Sequence, residues 1–111
     1  MKKCYIAGKI GDLPEAEFKR NFVNAKAEVA LMGLEPVSPV DLLHDHNKSW
    51  ISYMKEDLKA MMDCDVLYAM RNWRQSPGAT IEVNLALQLG IQIIHQPHMP
   101  KDSLFKEGDD E

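Results

Sequence analysis

Short unbroken apolar runs alternate along the chain with longer stretches in which apolar residues recur at helical spacing. The apolar runs occupy residues 3–8, 34–37, 65–70 and 91–96. Runs of this length, without alternation of polar and apolar residues, are typical of strands that are buried on both faces of a sheet. The pattern therefore predicts four strands.

The first of three predicted helices follows the first strand. Asp12 is a plausible N-cap with Pro14 in the first turn, and Gly33 suits the position just after the helix. Every third or fourth residue between them is apolar, which is the spacing of one buried helix face. That face comprises Phe18, Phe22, Ala25, Val29 and Met32.

Two further helices are predicted in the second half of the chain. One opens near Ser49, and the other begins at Pro77 and is closed by Gly90. Proline at a first helical position and glycine after a last one are the usual end signals. The buried stripes expected from spacing are Ile51, Met54, Leu58 and Met61 in the first of these helices, and Ile81, Leu85 and Leu89 in the second.

The order of the predicted elements is β-α-β-α-β-α-β. Such alternation implies a parallel sheet with right-handed crossovers and helices on both faces. We expect a Rossmann-like or flavodoxin-like three-layer α/β/α domain with four or five strands over residues 1–96, followed by a flexible acidic tail over residues 97–111. Ligands of these folds bind beyond the carboxyl ends of the strands, where the loops 8–12, 38–49 and 71–77 should meet.

Composition narrows the class of protein. The chain has 111 residues, 45% of them hydrophobic, and a formal net charge of −4. This balance argues against binding of a nucleic-acid polymer, which needs a basic face. No apolar run approaches the ~20 residues of a membrane span. Two cysteines give no disulfide framework, which favours a reducing, cytoplasmic location.

Histidine is the residue type to consider for a metal site. The clusters are His44 with His46, and His95 with His98. Neither has the spacing of a zinc site, and there is no Cys-x-x-Cys pair. We therefore expect no metal ion.

Glu82 is the residue that the helical pattern explains least. It lies one to two turns into the third helix, next to Gly78, Ala79 and Ala86 on the helix surface. Small neighbours leave room for a ligand, and the positive end of the helix dipole favours an ionised carboxylate. Glu82 is therefore a candidate nucleophile or base. Its position at the edge of the apolar stripe fits a solvated residue on the outer face equally well.

Other candidates for a functional role lie on the neighbouring elements. Asp57 borders the apolar stripe of its helix, where an acid is either half-buried with a partner or at the water boundary. Glycines after the first strand let backbone N–H groups approach an anion, and Lys9 would meet a phosphate there or be an ordinary solvated lysine. Trp50 and Trp73 would stack on a base or simply pack. Tyr5 faces one side of the sheet, as a core residue or with its hydroxyl at the edge.

Three segments carry a resemblance to a known family. They are "YIAGKIG", "DLKAMMDCDVLYAM" and "NWRQSPGATIEVNLALQLG". These segments resemble the nucleoside 2-deoxyribosyltransferase superfamily, and more closely a small uncharacterised branch in which a W-x-x-S-x-G-A-x-x-E run recurs. The resemblance covers about residues 4–95. The spacing from Ser76 to Glu82 is the same as in the related deoxynucleoside-monophosphate N-glycosidases.

The resemblance implies an enzyme that cleaves or exchanges the N-glycosidic bond of a nucleoside or nucleotide, without a cofactor, as a homo-oligomer. Glu82 would be the nucleophile, Asp57 would protonate the leaving base or orient the sugar, and Tyr5 would position the glutamate. Ser76 and the turn at residues 8–11 would hold a sugar hydroxyl or a 5′-phosphate. The full set of expected substrate-binding residues is Gly8, Lys9, Ile10, Gly11, Trp50, Trp73, Ser76 and Gly78.

Two departures from the family pattern keep other functions open. The loop Trp-Arg-Gln-Ser-Pro lacks the aspartate that transferases often carry before the glutamate, and Lys9 and Gly11 stand where phosphate-handling relatives have serine and arginine. A module that binds a nucleoside or nucleotide without turnover is one alternative. A ribonucleotide hydrolase is another, because "SPGATIE" resembles the PGGxGTxxE motif of nucleotide phosphoribohydrolases.

Overall fold

The computed structural model describes residues 1–42 and 49–98, and strands and helices alternate there in the predicted order. Two short 3-10 turns, Pro39–Asp41 and Trp73–Gln75, follow the second and third strands. The strands are β1 (Lys3–Ala7), β2 (Glu35–Val37), β3 (Val66–Ala69) and β4 (Gln92–His95), and the helices are α1 (Glu15–Leu31), α2 (Trp50–Met62) and α3 (Pro77–Leu89).

The four strands form one parallel sheet in the order β2-β1-β3-β4. Ala7 of β1, Ala69 of β3 and His95 of β4 lie side by side, so these three strands end level with one another. The chain moves outward from β1 to β2 and then returns past β1 to β3, which places the topological switch point between β1 and β3. This order confirms the flavodoxin-like α/β class, and the described residues contain no fifth strand.

Helices cover both faces of the sheet, as predicted. Alternation along β1 directs Ile6 towards α1, where Phe22 and Val29 are buried against it, and directs Tyr5 towards α2 and α3. On the second face, Met61 of α2 and Val83 of α3 belong to the same buried cluster as Tyr5. None of the described helices is both long and apolar enough to cross a membrane.

The end signals of α2 and α3 act as predicted, whereas that of α1 does not. The side chains of Ser49 and Ser76 accept N–H bonds within the first turns of α2 and α3, and Gly90 closes α3 with a left-handed φ of 77°. Asp12 was the wrong choice of N-cap for α1. It has a φ of 69°, and Pro14 occupies the cap position without a side-chain hydrogen bond. The turn before α1 is therefore longer than the sequence indicated.

The buried face of α3 differs from the predicted stripe. Ile81 and Leu89 are 41% and 54% exposed, while the buried residues of the helix are Ala79, Glu82, Val83 and Ala86. Because this helix is apolar almost all round, the spacing of its large residues does not identify the side that meets the sheet. Ile51 of α2 is likewise 55% exposed and does not belong to the core.

Gly8, the first residue after β1, lies against Met70, the first residue after β3. A Cβ at this position would lie 2.2 Å from Sδ of Met70 and 3.1 Å from its Cβ, whereas a Cβ at Gly11 would meet nothing within 4 Å. We expect Gly8→Ala to lower the free energy of unfolding by about 1–3 kcal/mol through overpacking. Chemical denaturation of Gly8→Ala and of Gly11→Ala checks this, and equal stability of the two variants would contradict it.

Candidate active site

A buried tyrosine–glutamate pair joins the sheet to α3. The hydroxyl of Tyr5 donates a hydrogen bond of 2.7 Å to Oε2 of Glu82. Tyr5 is fully buried, and Glu82 is only 4% exposed although it carries a carboxyl group. The interpretation of Glu82 as a solvated residue on the outer face is therefore wrong. Small residues next to Glu82 on α3 allow the helix to bring the carboxyl group against β1.

Asp57 of α2 is half-buried and lies close enough to the Tyr5–Glu82 pair to act on it electrostatically. Its Oδ1 atom is buried from solvent, and its negative charge raises the pKa of both Tyr5 and Glu82. The three residues come from three different elements, β1, α2 and α3. The structure thus brings together all three residues that the sequence identified as catalytic candidates.

Burial controls the charge of Glu82. Loss of solvent raises the pKa of Glu82 from 4.5 to about 8, the hydrogen bond from Tyr5 opposes this shift, and the charge of Asp57 adds to it. Burial and the neighbouring carboxylates raise the pKa of Tyr5 well above 10, so its hydroxyl remains a neutral donor. Most Glu82 is therefore protonated at pH 7, and burial outweighs the helix dipole that led us to expect an ionised carboxylate.

The turn after β1 is tied to the loop after β3. The backbone N–H of Lys9 donates to Oδ1 of Asn72 at 3.0 Å, so this N–H group is already occupied. Ile10 packs against the buried cluster beneath α1 instead of facing the loop. The predicted convergence of these two loops is confirmed, and the third loop lies partly in residues 43–48, outside the described residues.

Ser76 and Gly78 have structural roles at the start of α3. Oγ of Ser76 accepts the backbone N–H of Ala79 at 3.1 Å, which caps the helix and leaves the serine hydroxyl proton free to donate. A Cβ at Gly78 would lie 3.1 Å from Sδ of Met54, so glycine allows α2 to pack closely against α3.

The two tryptophans lie in contrasting environments. Trp50 is the first residue of α2 and is 55% exposed. Trp73 is only 9% exposed, and the guanidinium carbon of Arg74 lies 4.5 Å from its ring centroid. Because Arg74 covers one face of the Trp73 ring, a base could stack on that face only by displacing the arginine.

A second tyrosine–glutamate pair lies on the opposite face of the sheet. The hydroxyl of Tyr68 donates to Oε1 of Glu28 at 2.7 Å, and Nε2 of Gln96 donates to the same oxygen at 2.9 Å. Oε1 of Gln96 in turn accepts the backbone N–H of Arg71 at 2.9 Å. This network links α1 to the loops after β3 and β4, and it resembles the Tyr5–Glu82 pair in geometry but is less buried.

Two cavities open at the carboxyl edge of the sheet. One, of about 340 Å³, lies at the ends of β3 and β4, and the other, of about 460 Å³, lies between α1 and the loop after β3. Neither is lined by Glu82.

Within the part of the chain that the structure describes, no three His, Cys, Asp or Glu side chains are grouped to hold a metal ion, and His44 and His46 lie outside that part.

Comparison with protein families identifies the chain. The model of the family described as a domain of unknown function, DUF4406, matches residues 2–95. The chain belongs to the DUF4406 family. This agrees with the uncharacterised branch that its segments resemble. No curated protein sequence matches this DUF4406 chain.

Solved structures with similar folds include three enzymes. The 2-deoxyribosyltransferase from Bacillus psychrosaccharolyticus has a TM-score of 0.64 and 20% identity, over 97% of this chain and 86% of the enzyme. The 2-desoxiribosyltransferase from Leishmania mexicana has a TM-score of 0.60 and 22% identity, over 86% and 63%. The CMP N-glycosidase BcmB from Clostridium botulinum has a TM-score of 0.59 and 21% identity, over 85% and 70%.

These similarities establish the fold of the DUF4406 chain. A conserved protein from Enterococcus faecalis also has a similar fold, with a TM-score of 0.64 and 17% identity over 86% of this chain. This protein and the Leishmania mexicana enzyme are considerably longer than this chain, which covers 62% and 63% of their lengths. At identities between 17% and 22%, the similarity shows a shared fold and not a shared activity.

Asn72, Glu28 and Gln96 are the polar residues near these loops that sequence reasoning missed. Asn72 lies in a loop whose composition is that of any polar loop, and Glu28 lies beside the apolar stripe of α1. Their roles depend on contacts with residues 25 to 68 positions away in the chain, which leave no local pattern.

Proposed function

We propose that this chain cleaves or transfers the N-glycosidic bond of a nucleoside, 2′-deoxynucleoside or nucleoside 5′-monophosphate, with Glu82 as nucleophile. The observation that carries the proposal is the buried carboxyl group of Glu82, held by the Tyr5 hydroxyl at 2.7 Å in the helix that follows β3. Burying a carboxyl group in the apolar face of a helix destabilises the folded protein, so folding alone does not account for Glu82. The fold shared with two 2-deoxyribosyltransferases and a CMP N-glycosidase supports this chemistry.

The proposed reaction proceeds by two displacements at the anomeric carbon. A carboxylate oxygen of Glu82 forms a bond to that carbon while the C–N bond breaks, and the bonding electron pair leaves with the base. The departing base takes up a proton from water, and Asp57, as a carboxylate, orients the sugar. Water or a second base then attacks the anomeric carbon and loses a proton to solvent, and Glu82 leaves as a carboxylate. Neither displacement requires a metal ion or an organic cofactor.

Tyr5 acts through Glu82 as a positioning residue. Its hydroxyl stabilises the carboxylate, because the hydrogen bond lowers a pKa that burial raises. The ionised fraction of Glu82, and with it the rate, should therefore rise with pH and reach half its maximum near pH 8.

We expect Tyr5→Phe to lower kcat by about 10- to 100-fold at pH 7, the range expected for loss of one hydrogen bond to a charged group. Because the remaining influences on Glu82 all raise its pKa, the rate should reach half its maximum at a higher pH than in the wild type. Tyr68→Phe is the matched control, since it removes the same 2.7 Å contact from Glu28 on the other face. A pH–rate profile of the three proteins checks this, and an unshifted profile for Tyr5→Phe would contradict the role.

The substrate class is tested by chromatography. The purified protein is incubated with 2′-deoxynucleosides, their 5′-monophosphates and the ribo-equivalents, with and without a second free base. Release of base indicates a hydrolase, exchange of base indicates a transferase, and the active members of the panel define sugar and phosphate requirements. Activity confined to ribonucleotides would instead support the phosphoribohydrolase alternative. If no member loses its base, the proposed activity is wrong for these substrates.

A nucleoside- or nucleotide-binding module without turnover is the second candidate function. One observation favours it: the pKa of Glu82 near 8 leaves most of the carboxyl group neutral at pH 7, which suits hydrogen bonding better than nucleophilic attack. Calorimetric titration with the same panel separates the two functions. Equal binding by the wild type and Glu82→Gln, with no turnover by the wild type at pH 8.5, would favour the binding module.

We further propose that the protein is a homo-oligomer that works in the cytoplasm. Large apolar side chains are exposed on α2 and α3, and burial in an assembly would remove them from water. They are Trp50, Ile51, Met62, Ile81, Leu87 and Leu89, each between 41% and 57% exposed. The free thiols of Cys4 and Cys64 are compatible with a reducing compartment. Light scattering during gel filtration should give a mass of at least two chains, and a monomer at micromolar concentration would contradict the assembly.

A further inference from the structure

The 340 Å³ cavity at the ends of β3 and β4 is lined by cationic and aromatic side chains. Its walls include Arg71, Arg74, His95 and His98 together with Trp73, and no acidic residue lines it. Two guanidinium groups remain charged at any physiological pH, and the two imidazoles add N–H donors. The concentration of positive charge is local, because the whole chain has a net charge of −4.

Both arginines are held at the cavity by contacts that leave their charge uncompensated. Nε of Arg71 donates to the backbone carbonyl of Pro97 at 2.9 Å, and the guanidinium of Arg74 lies 4.5 Å from the ring centroid of Trp73. The ring of His95 lies 6.4 Å from that of Trp73, on the wall that β4 contributes. Neither arginine forms an ion pair with another described residue. These contacts favour orientations that keep both guanidinium groups at the cavity.

The donor groups that line the cavity favour a phosphate group as the ligand. Arginine guanidinium groups present paired N–H donors that match the oxygens of a phosphate, and two of them provide more donors than a single carboxylate can accept. The edges of Trp73 and Pro97 provide apolar surface for a small organic part. A volume of 340 Å³ lies at the lower end of the range of small-molecule sites.

Of the residues assigned to glycosidic chemistry or expected to bind its substrate, only Trp73 lines the cavity. Glu82, Tyr5 and Asp57 do not line it, and neither does the turn at residues 8–11 or Ser76. We infer that the chain has a second ligand site, formed by Arg71, Arg74, Trp73 and His95, for a small phosphomonoester. This site does not depend on the proposed activity of Glu82.

Nuclear magnetic resonance of the full chain tests the site with glycerol 3-phosphate as the probe and glycerol as the uncharged control. The chain has two tryptophans, so the indole N–H signals of Trp73 and Trp50 report from inside and outside the cavity. We expect glycerol 3-phosphate to shift the Trp73 indole signal and the backbone signals of His95 and Gln96 saturably, while the Trp50 indole signal stays in place. Glycerol should shift none of them.

Charge variants then locate the site. Arg74→Gln and Arg71→Gln should each weaken binding roughly three- to tenfold, as expected for exposed charge-assisted contacts. Arg20→Gln, on the exposed surface of α1, is the matched control and should leave the affinity unchanged. Glu82→Gln should also bind the probe normally. Raising the salt concentration to about 0.5 M should weaken binding by the wild type, since salt screens exposed charges.

Three results would overturn the inference. The first is absence of any saturable shift at Trp73 and His95. The second is a response confined to the amides of Gly8 and Gly11, which would place the phosphate at the turn after β1 instead. The third is an equal loss of affinity in Arg20→Gln and Arg74→Gln, which would indicate nonspecific attraction. Arg74→Gln provides a fair test even if Arg71→Gln disturbs the Pro97 segment, because Arg74 is exposed and lies against the face of Trp73.

Discussion

Glu82→Gln should reduce base release by about 10⁴-fold or more, because an amide oxygen cannot replace a carboxylate as nucleophile. A loss of this size corresponds to roughly 5 kcal/mol of transition-state free energy. Glutamine has nearly the same shape as glutamate, and its carbonyl oxygen can still accept the Tyr5 hydrogen bond of 2.7 Å. The variant should therefore fold and still bind substrate, so that the loss appears in kcat and not in KM.

Glu28→Gln is the matched control for this experiment. Glu28 also accepts a 2.7 Å hydrogen bond from a tyrosine hydroxyl, but on the α1 face of the sheet. If both variants lost activity equally, the effect would reflect general damage to a buried tyrosine–glutamate pair. Loss in Glu82→Gln alone, with single-turnover rates measured on both proteins, assigns the nucleophile.

The second large effect concerns folding stability and pH. Burial raises the pKa of Glu82 to about 8 in the folded protein, against 4.5 in the unfolded chain. Below pH 4.5 the carboxyl group of Glu82 is protonated in both states, so its titration does not change the free energy of unfolding. Between pH 4.5 and about 8 the unfolded chain releases the proton and the folded protein retains it. The contribution of Glu82 to the free energy of unfolding should therefore fall by about 1.4 kcal/mol per pH unit within this window.

Glu82→Gln removes this titration, so the difference between the two proteins isolates it from the other ionisable groups. We expect the wild type to lose a few kcal/mol relative to Glu82→Gln between pH 5 and pH 8, and no more above pH 9. Urea denaturation at closely spaced pH values measures the difference. A constant difference across the range would mean that Glu82 is not desolvated as the structure indicates.

The order and type of the regular elements could be predicted because they depend on local patterns. The unbroken apolar runs identified β1 to β4, and Pro77 with Gly90 marked both ends of α3. Parallel pairing then followed from the alternation of strands and helices. The strand order β2-β1-β3-β4 could not be read from the sequence, because it depends on which side of β1 each crossover places the next strand.

The candidate site was predicted only in part. Residue types and the family resemblance pointed to Tyr5, Asp57 and Glu82, but hydrophobic spacing placed Glu82 at the edge of the buried face of α3. The sheet meets the side of α3 that carries Ala79, Val83 and Ala86, where small residues allow close approach, and Glu82 lies on that side. In a helix that is apolar nearly all round, packing and not spacing selects the buried face.

Several residues that were expected to contact substrate have structural roles in the folded protein. The N–H of Lys9 is bonded to Asn72, Ile10 packs beneath α1, and Ser76 caps α3. These contacts depend on long-range or helix-end geometry that residue type alone does not reveal. These contacts fix the turn at residues 8–11 next to the loop after β3. Such a turn can position a substrate even if some of its residues do not contact it.

The most direct test of the account is to trap the covalent intermediate. The protein is incubated at pH 8.5 with 2′-deoxy-2′-fluoro nucleosides and their 5′-monophosphates. An electronegative fluorine at the 2′ carbon destabilises the oxocarbenium-like transition states of both displacements, and the sugar adduct accumulates when its breakdown is the slower of the two steps. We predict that intact mass spectrometry shows one sugar added per chain, and that peptide fragmentation places it on Glu82, with no adduct in Glu82→Gln. Base release without an adduct on Glu82, or an adduct on another residue, would contradict the assignment of Glu82 as the nucleophile.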